Sequence, residues 1–272
     1  MGPVLPIRDS DDQRVDDYRN LTDAELRQRE EPAAGLFMVE GPAVIRQLLR
    51  SQYPVRSMLL TENRLEELRP DLPSEAGWPI YLAANDVMRA ITGFHFHRGA
   101  LAAAGRRSPA DWRAVVRNQS LIAVAEDVSD HENMGALFRN AAAFGVGAIL
   151  LTPASVDPLY RRAVRVSMGQ VLHVPWARVE PWPEVLGDLK SAGFRVLALT
   201  PDPAAPELRA TSQATAILVG AEGPGLTERA RSQADELARI RMQPGLDSLN
   251  VATAAAIAFY EFAQKATNPA GR

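Results

Sequence analysis

The sequence of 272 residues contains no cysteine. Disulfide bonds, thiolate nucleophiles and zinc sites built on cysteine are therefore excluded. The chain also lacks an apolar run of membrane-spanning length, and its first residues, MGPVLPIRDSDDQ, do not follow the pattern of a signal peptide. We therefore expect a cytoplasmic protein without a membrane partner.

Histidine is scarce, which limits where metal or nucleophilic chemistry can be centred. The histidines are His95, His97, His131 and His173, and no two of them have the spacing of a helical metal-binding pair. No serine, histidine and acid stand out as a nucleophilic triad. The sequence thus predicts no metal site, and it leaves phosphate contact open for His95 and His97.

Positive charge is not in excess either, because the formal net charge is −3. Binding of RNA nevertheless needs only a local basic surface. Two groups of arginines meet that need: the first is Arg98, Arg106, Arg107, Arg113 and Arg117, and the second is Arg161, Arg162 and Arg165. Each group alone can be a solvated face, and both together can form a phosphate-binding surface.

The first third of the chain reads as a small α/β domain. Residues 1–35 are polar and acidic, and LTDAELRQREE predicts a surface helix that follows a loose end. The predicted strands after it are LFMVE, RSMLL, PIYLA and ALAAA, and the predicted helices are GPAVIRQLLR, ENRLEEL and NDVMRAITG. We expect this domain to cover residues 1–104, with 1–35 as a leading segment, and a linker at 105–118, where glycine, proline and arginine interrupt the periodicity.

A second domain is predicted over residues 119–272. Its predicted strands are LIAVAED, GAILL, VLHVP, RVLALT, AILVG and ARIRM, with helices in most of the gaps. This alternation favours a mostly parallel sheet covered on both faces. The last helix, SLNVATAAAIAFYEFAQKA, is apolar nearly all round between Val251 and Phe262. A helix of this kind is buried on several sides, so we expect it to pack against a second subunit as well as its own sheet.

Two loops of the second domain have an unusual composition at the carboxyl ends of predicted strands, where parallel sheets bind ligands. In EDVSDHENMG, Asp130 or Asn133 can cap the helix that follows, but capping does not explain the other acids of the loop. In GAEGPGL, residues 220–226, the glycines allow the backbone to approach a ligand closely, and a tight structural turn is the alternative. The second loop is neither a Walker A loop nor a Rossmann fingerprint.

A third loop, MQPGLDSLN, runs into the last helix. Asp247 or Ser248 is a suitable N-cap for that helix. Asn250 would then lie in the first turn, where a buried asparagine must find hydrogen-bond partners. We expect the neighbouring loops to supply them.

The helix after the first loop carries one arginine, Arg139, among small residues. Its neighbours three and four positions away are Gly135, Ala136, Ala142 and Ala143. A surface salt bridge is one explanation of this arginine, with Glu126, Asp127 or Glu132 as the partner. Clearance for close packing at a ligand site or a subunit interface is the other.

Three segments together resemble, in order and spacing, the motifs of the SpoU/TrmH family of RNA ribose 2′-O-methyltransferases in the SPOUT superfamily. They are DHENMGALFRNAAAFGV, ILVGAEGPGL and IRMQPGLDSLNVATAAAIAFYE. The intervening RRAVRVSMGQVLHVP resembles the arginine–serine–glycine segment of the family. The resemblance covers residues 120–264, and, more weakly, GLFMVEGPAVIRQLL through HRGALAA resembles the L30e-like substrate-binding domain of the family.

This resemblance implies an α/β fold in which a C-terminal SPOUT domain has a parallel sheet and a deep trefoil knot, and a small N-terminal L30e-like α/β domain precedes it. It implies S-adenosylmethionine as the cofactor, no metal, and a homodimer with its sites near the subunit interface. The implied substrate is a ribose 2′-hydroxyl of rRNA or tRNA, with the N-terminal domain selecting the RNA.

The resemblance also implies roles for individual residues. The implied cofactor-binding residues are Gly220, Ile240, Leu249, Ser248 and Thr200. The implied catalytic residues are Arg139, Asn133, Glu222 and Asn250. Among them Arg139 activates the hydroxyl or fixes the adjacent phosphate. Asn133 orients Arg139 or the backbone of the site, and Glu222 contacts the substrate or structures its loop. The expected RNA-binding residues are Arg98, Arg106, Arg107 and Arg165.

One position departs from the family pattern, since Arg241 stands where the family usually has proline. The loss of the fixed φ of proline removes stiffness from that turn. The arginine side chain can reach RNA or face solvent, and we favour solvent. Two other functions stay open: a SPOUT-fold module that binds RNA without catalysis, and an α/β enzyme with another nucleotide cofactor. The intact motif residues count against the first, and the absence of Walker and Rossmann loops counts against the second.

Overall fold

The computed structural model describes residues 2–22, 24–93, 99–243 and 245–267. The chain divides into two compact units. The first unit contains the residues up to Ser108 together with Leu159–Leu172, and the second contains Pro109–Pro158 and the residues from His173 onward. The chain thus leaves the second unit once, contributes a short segment to the first, and returns.

The first unit is built on a mixed sheet. Its elements up to residue 105 are β1 (Val4–Ile7), α1 (Ala24–Ala33), β2 (Leu36–Glu40), α2 (Pro42–Leu49), β3 (Val55–Leu60), α3 (Glu62–Leu68), β4 (Ile80–Ala83), α4 (Asn85–Thr92) and β5 (Ala100–Gly105). Among the described residues the sheet has five strands in the order β1-β4-β3-β5-β2. Strand β5 is antiparallel to β2 and β3, and the other pairs are parallel. The strands and helices predicted between residues 36 and 104 are confirmed.

The first 35 residues are more ordered than predicted. In place of a loose end, β1 pairs with β4, and Tyr18 is fully buried with its hydroxyl 2.7 Å from Ser57 Oγ. Helix α1 is also not a plain surface helix, because Arg27 and Glu31 form a buried ion pair, Nε to Oε1 2.8 Å. The prediction missed β1 because its proline is typical of loops, whereas an edge strand tolerates proline.

The second part of the chain continues the alternation. Its elements are α5 (Trp112–Val116), β6 (Leu121–Ala125), α6 (His131–Ala143), β7 (Ala148–Leu151), α7 (Arg161–Val166), β8 (Trp176–Arg178), α8 (Val185–Ser191), β9 (Arg195–Leu199), β10 (Thr215–Val219), α9 (Glu228–Gln233), β11 (Glu236–Ala238) and α10 (Val251–Thr267). Helix α7 belongs to the first unit and the others to the second.

The sheet of the second unit has, among the described residues, six strands in the order β11-β9-β10-β6-β7-β8, and every pair is parallel. All residues of the central strands β6 and β10 are buried. Strands buried on both faces are what a parallel sheet between two helical layers requires. The predicted parallel sheet is therefore confirmed.

Three predicted boundaries of the second part were wrong. The segment VLHVP is not a strand, since Gln170–Leu172 is a 3-10 helix of the first unit and β8 begins at Trp176. Strand β11 ends at Ala238, before most of the predicted ARIRM strand. The segment predicted as a linker contains α5, whose Trp112 and Val116 lie in the hydrophobic core of the second unit. Burial of these apolar side chains outweighs the loop-like composition around them.

None of the helices among the described residues combines the length and the apolar character that crossing a membrane requires.

Candidate active site

A cavity of about 720 Å³ lies at the carboxyl ends of β9, β10 and β11. Its walls come from the loop after β9, the loop after β10 and the loop between β11 and α10. Carboxyl ends of neighbouring parallel strands share one edge of the sheet, which is where such folds bind ligands. The second and third loops selected from the sequence therefore meet at one site.

The five predicted cofactor-binding residues all line this cavity. They are Thr200 from the loop after β9, Gly220 from the loop after β10, and Ile240, Ser248 and Leu249 from the loop before α10. The apolar part of the wall also includes Leu199, Leu226, Met242 and Val251, and the charged lining residues are Asp202, Glu222 and Arg231. Asp202 and Arg231 had no motif to mark them in the sequence, so the prediction missed both.

The glycine loop after β10 folds back on itself as a tight turn. Gly225 N donates to Ala221 O at 3.0 Å, and Gly223 and Gly225 have positive φ values of 86° and 69°. At Gly220 a Cβ atom would lie 2.4 Å from both Gly225 C and Leu226 N. The glycine loop is therefore a tight structural turn, as the alternative interpretation expected, and this turn is also a wall of the cavity.

The loop after β9 is held against the outer edge of β11 by Arg239. Arg239 N donates to Pro206 O at 2.8 Å, and Leu208 N donates to Arg239 O at 2.8 Å. The Arg239 side chain adds a bond from Nε to Ala205 O at 2.9 Å. Two positions further on, the Arg241 side chain is 82% exposed, with Nε 3.9 Å from Glu207 Oε1, so the predicted solvent-facing arginine is confirmed.

Asn250 joins the three predicted loops. Its Nδ2 donates to Asn133 Oδ1 at 2.7 Å and to Glu222 Oε1 at 2.9 Å. Its Oδ1 accepts from Ala252 N at 3.0 Å and Thr253 N at 3.1 Å. Asn250 is therefore the residue that caps α10. The prediction of Asp247 or Ser248 as the cap was wrong, and so was the expectation that Asn250 is buried, since it is exposed.

The expectation that Asn250 finds its partners in the neighbouring loops is confirmed by the same two bonds. Asn133 is itself fixed at the start of α6, because Asp130 Oδ1 accepts from Glu132 N at 2.7 Å and from Asn133 N at 2.9 Å. Of the two caps considered for this helix, Asp130 is the one used. Three of the four predicted catalytic residues, Asn133, Glu222 and Asn250, thus form one hydrogen-bonded cluster at the cavity.

Glu126 is a buried anchor that the sequence did not reveal. It is 1% exposed at the end of β6. Its Oε1 accepts from Trp182 Nε1 at 2.6 Å and from Thr227 Oγ1 at 2.7 Å, and its Oε2 accepts from Thr227 N at 2.8 Å. Because Thr227 follows the glycine loop and caps α9, this carboxylate fixes one end of that loop.

Arg139, the fourth predicted catalytic residue, stands apart from the cluster. Its side chain is exposed on α6, and within the described part of the chain it takes part in no hydrogen bond or ion pair. The surface salt bridge considered for it is thus not formed: Glu126 is buried elsewhere, and Asp127 Oδ1 accepts from Thr152 Oγ1 at 2.6 Å. Asn133 likewise bonds to Asn250 and not to Arg139.

Comparison with known proteins places this site in a family. Residues 120–260, just over half of the chain, match the model of the SpoU rRNA Methylase family. The chain belongs to the SpoU rRNA methylase family.

Similar proteins align over nearly the whole chain. An uncharacterized tRNA/rRNA methyltransferase of Mycobacterium tuberculosis is 47% identical over 263 residues, which are 95% of this chain and 91% of the relative. A 23S rRNA (guanosine(2553)-2′-O)-methyltransferase of Bacillus subtilis is 27% identical over 93% of this chain and 97% of its own length. The crystal structure of an AdoMet-bound rRNA methyltransferase from Sinorhizobium meliloti is similar with a TM-score of 0.80 and 25% identity, covering 97% of this chain and 99% of that one. The α/β fold with a parallel sheet is similar to that structure.

The predicted RNA-binding residues of this SpoU chain lie in the first unit, except for Arg98, which falls outside the described residues together with His95 and His97. Arg106 Nε donates to Leu36 O at 2.8 Å. The Arg107 guanidinium lies 5.9 Å from the centre of the Tyr53 ring. Arg165 Nη1 lies 3.5 Å from Glu40 Oε1.

Glu40 also pairs with Arg161, whose Nη1 lies 3.5 Å from Glu40 Oε2 and whose Nη2 donates to Leu21 O at 2.9 Å. Burial lowers the pKa of Arg161, and the charge of Glu40 opposes that shift. This buried pairing holds α7 against β2, so in this SpoU chain part of the second arginine group has a structural role.

Among the described residues no three histidine, aspartate or glutamate side chains are arranged to hold a metal ion.

Proposed function

We propose that this protein is an S-adenosylmethionine-dependent RNA methyltransferase that transfers a methyl group to a ribose 2′-hydroxyl of rRNA or tRNA. The observation that carries the proposal is the cavity at the strand ends, whose lining includes all five residues expected to bind the cofactor. Membership of the SpoU family supports it, as do relatives described as an AdoMet-bound rRNA methyltransferase and a 2′-O-methyltransferase of 23S rRNA.

The cavity suits this cofactor in size and chemistry. Its volume of about 720 Å³ lies in the range of pockets that enclose small molecules. Leu226, Ile240 and Leu249 offer an apolar wall to the adenine ring, and Gly220 brings backbone close because no side chain fits there. Thr200 and Ser248 add hydroxyl groups. When bound, S-adenosylmethionine supplies a methyl group activated by its sulfonium.

Residues of this chain position the reacting hydroxyl. A ribose hydroxyl is a poor nucleophile, so it must be held near the methyl donor and relieved of its proton. Arginine is a poor base because of its high pKa, and we therefore assign Arg139 to positioning the hydroxyl or the adjacent phosphate. The Asn250 amide fixes the loops around the cavity relative to one another, because it donates hydrogen bonds to Asn133 and Glu222.

The finer architecture is part of the proposal. We propose a trefoil knot in the domain of residues 119–272. The course of the loop after β9 supports it, because this loop passes the outer edge of β11 at Arg239 before it returns to β10 beside β9. We also propose that residues 1–104 form an L30e-like domain that selects the RNA. The RNA contacts proposed for this protein are Arg98, Arg106, Arg107 and Arg165.

We further propose a cytoplasmic homodimer in which Arg139 serves the site of the partner subunit. Helix α10 supports the dimer, because Ile257 and Tyr260, three residues apart, are 39% and 51% exposed. Large apolar side chains exposed together favour an interface. Arg139 is exposed on α6, which packs beside α10 through a bond from Asn140 Nδ2 to Ala252 O at 2.9 Å.

The experiment that tests the function compares wild type with Arg139→Ala. Methyl transfer from labelled S-adenosylmethionine to RNA from a deletion strain is measured, and mass-spectrometric mapping of 2′-O-methylated nucleotides identifies the site. We expect the rate to fall by roughly a hundredfold or more, as when one group that stabilises a transition state is removed. Calorimetry should show unchanged affinity for S-adenosylmethionine.

A matched control is Arg229→Ala, because Arg229 is also exposed but pairs with Glu184. Full activity of Arg139→Ala would contradict the catalytic assignment. A wild-type protein that binds no S-adenosylmethionine would contradict the function as a whole and favour an RNA-binding module.

A further inference from the structure

Three charged side chains line the cavity among the described residues: Asp202, Glu222 and Arg231. The two acids are engaged by the protein. Glu222 accepts from Asn250 Nδ2 at 2.9 Å, and Asp202 Oδ1 accepts from Ala204 N at 2.8 Å. Arg231 is thus the cation of this lining, and it belongs to none of the motifs recognised in the sequence.

Among the residues that the structure describes, Arg231 finds no hydrogen-bond acceptor. Within the described part of the chain its guanidinium donates no hydrogen bond, and its Nε is buried without a partner. The nearest acid is Glu228, with 3.8 Å between Arg231 Nη1 and Glu228 Oε2, and that acid is 84% exposed. Such a distance is too long for a hydrogen bond, and buried donors in folded proteins are nearly always paired. The missing acceptor is therefore expected from a ligand.

We propose that Arg231 binds the carboxylate of the amino-acid part of S-adenosylmethionine, an inference that rests on the function proposed above. The cofactor carries a sulfonium, an ammonium and a carboxylate, so the carboxylate is its only anion. A guanidinium pairs with a carboxylate through two parallel N–H···O bonds, which supply both the missing acceptor and charge neutralisation. The acids Asp202 and Glu222 suit the cationic groups of the same molecule.

An RNA phosphate is the other anion available to this protein, and the position of the half-buried Arg231 in the cavity wall disfavours it. The Arg231 side chain is 33% exposed in the cavity wall. Arg229, two positions earlier on α9, has a side chain that is 71% exposed and donates to Glu184 Oε1 at 2.9 Å. Arg231 therefore differs from an ordinary surface arginine of the same helix, which makes Arg229 its matched control.

The test compares two ligands that share the adenosine part and differ in the amino-acid part. S-adenosylhomocysteine has the carboxylate, and 5′-methylthioadenosine lacks it. Calorimetry measures the affinity of each for wild type, Arg231→Met, Arg231→Lys and Arg229→Met. Loss of a charge-assisted hydrogen bond should weaken S-adenosylhomocysteine binding to Arg231→Met roughly ten- to hundredfold. The affinity for 5′-methylthioadenosine should stay within about twofold of wild type, and Arg231→Lys should recover part of the loss for S-adenosylhomocysteine.

The 5′-methylthioadenosine affinity also checks that Arg231→Met keeps an intact cavity. Equal weakening of both ligands would overturn the inference, as would unchanged affinity for S-adenosylhomocysteine, whether or not RNA binding is weakened. If the wild type bound neither ligand, the proposed function would fall together with the inference. Wild-type binding with no effect of Arg231→Met would overturn the inference alone.

Discussion

At the scale of single residues, Glu126 shows how a carboxylate can be structural at the edge of a candidate active site. It is 1% exposed, and its hydrogen bonds come from an indole, a hydroxyl and a backbone N–H instead of a cation. A buried charge is tolerated when its hydrogen bonds are satisfied in this way. The acids of the first loop therefore separate by role, with Glu126 as an anchor and Asp130 as a helix cap.

Replacing Glu126 by glutamine should destabilise the protein. In either orientation the amide –NH2 would face a donor, the Trp182 indole at one oxygen position or the Thr227 N–H at the other. A donor left without an acceptor inside the protein costs about 1–3 kcal/mol. The free energy of unfolding of Glu126→Gln, measured by urea denaturation, should fall by that amount. In the exposed first-turn control Glu132→Gln it should change by no more than about 1 kcal/mol; equal stability of wild type and Glu126→Gln would refute the anchor.

Asn250 combines two roles that can be separated by substitution. Its oxygen caps α10, and its –NH2 group holds Asn133 and Glu222. Asn250→Ser keeps a capping oxygen, so it should unfold at nearly the wild-type free energy, whereas Asn250→Ala should lose about 1 kcal/mol. Both variants lack the –NH2 group, and both should lose methyl-transfer activity. Urea denaturation and the methylation assay measure the two effects; an active Asn250→Ser would show that the amide bridge is dispensable.

At the scale of elements, the strands that were predicted are those with strong local patterns. The buried strand β6 is an apolar run of five residues, and β10 has four apolar residues in a row after Thr215. The missed or misplaced strands are β1, β8 and β11, which have four, three and three residues and lie at the edges of their sheets. So short a strand has almost no periodicity of its own, and pairing with a distant partner decides its position.

The glycine loop is an element whose shape rests on one position without a side chain. A Cβ at Gly220 would lie 2.4 Å from backbone atoms of Gly225 and Leu226, so Gly220→Ala must push the turn open. We expect a loss of about 1–3 kcal/mol in the free energy of unfolding and weaker binding of S-adenosylhomocysteine by calorimetry.

The control is Gly187→Ala in α8, where a Cβ meets no atom within 4 Å. That change should stabilise the protein by up to about 1 kcal/mol. Tight ligand binding by Gly220→Ala would mean that the turn can relax without disturbing the cavity.

At the scale of the whole molecule, the course of the chain between the two units could not be predicted from the sequence. Residues 159–172 belong to the first unit although they lie within the second domain in sequence. The contact of Arg161 with Glu40, 121 positions apart, is part of what holds them there. No local pattern reports a pairing of this range, whereas the three active-site loops were found because each has its own composition. Resemblance of these loops to the family motifs then pointed to Asn133, Glu222 and Asn250, which the structure joins by hydrogen bonds. Glu126 and Arg231 were not predicted, since their importance lies in contacts and burial.

The buried pair of Arg27 and Glu31 gives the stability of the protein a pH dependence of known sign. Burial raises the pKa of Glu31 above its usual value of 4.5, and Arg27 offsets only part of the rise. A carboxyl group with a raised folded-state pKa binds its proton more tightly in the folded state. Its contribution to stability is therefore complete below the unfolded pKa and is lost as the pH rises through the folded pKa.

Wild type should accordingly lose stability relative to Glu31→Gln, which cannot titrate, as the pH is raised from about 4.5. Exposed Asp12 does not interfere, because its pKa is lowered to about 2, so its titration changes the stability only at more acid pH. Urea denaturation of both proteins at steps from pH 4.5 to neutrality measures the difference in unfolding free energy, and the subtraction removes groups common to both. Glu31→Gln also loses the ion pair with Arg27, which changes its unfolding free energy by the same amount at every pH. Only the change of the difference with pH is therefore informative. If the unfolding free energy of wild type minus that of Glu31→Gln stayed constant or rose with pH, Arg27 would compensate fully for the burial of Glu31.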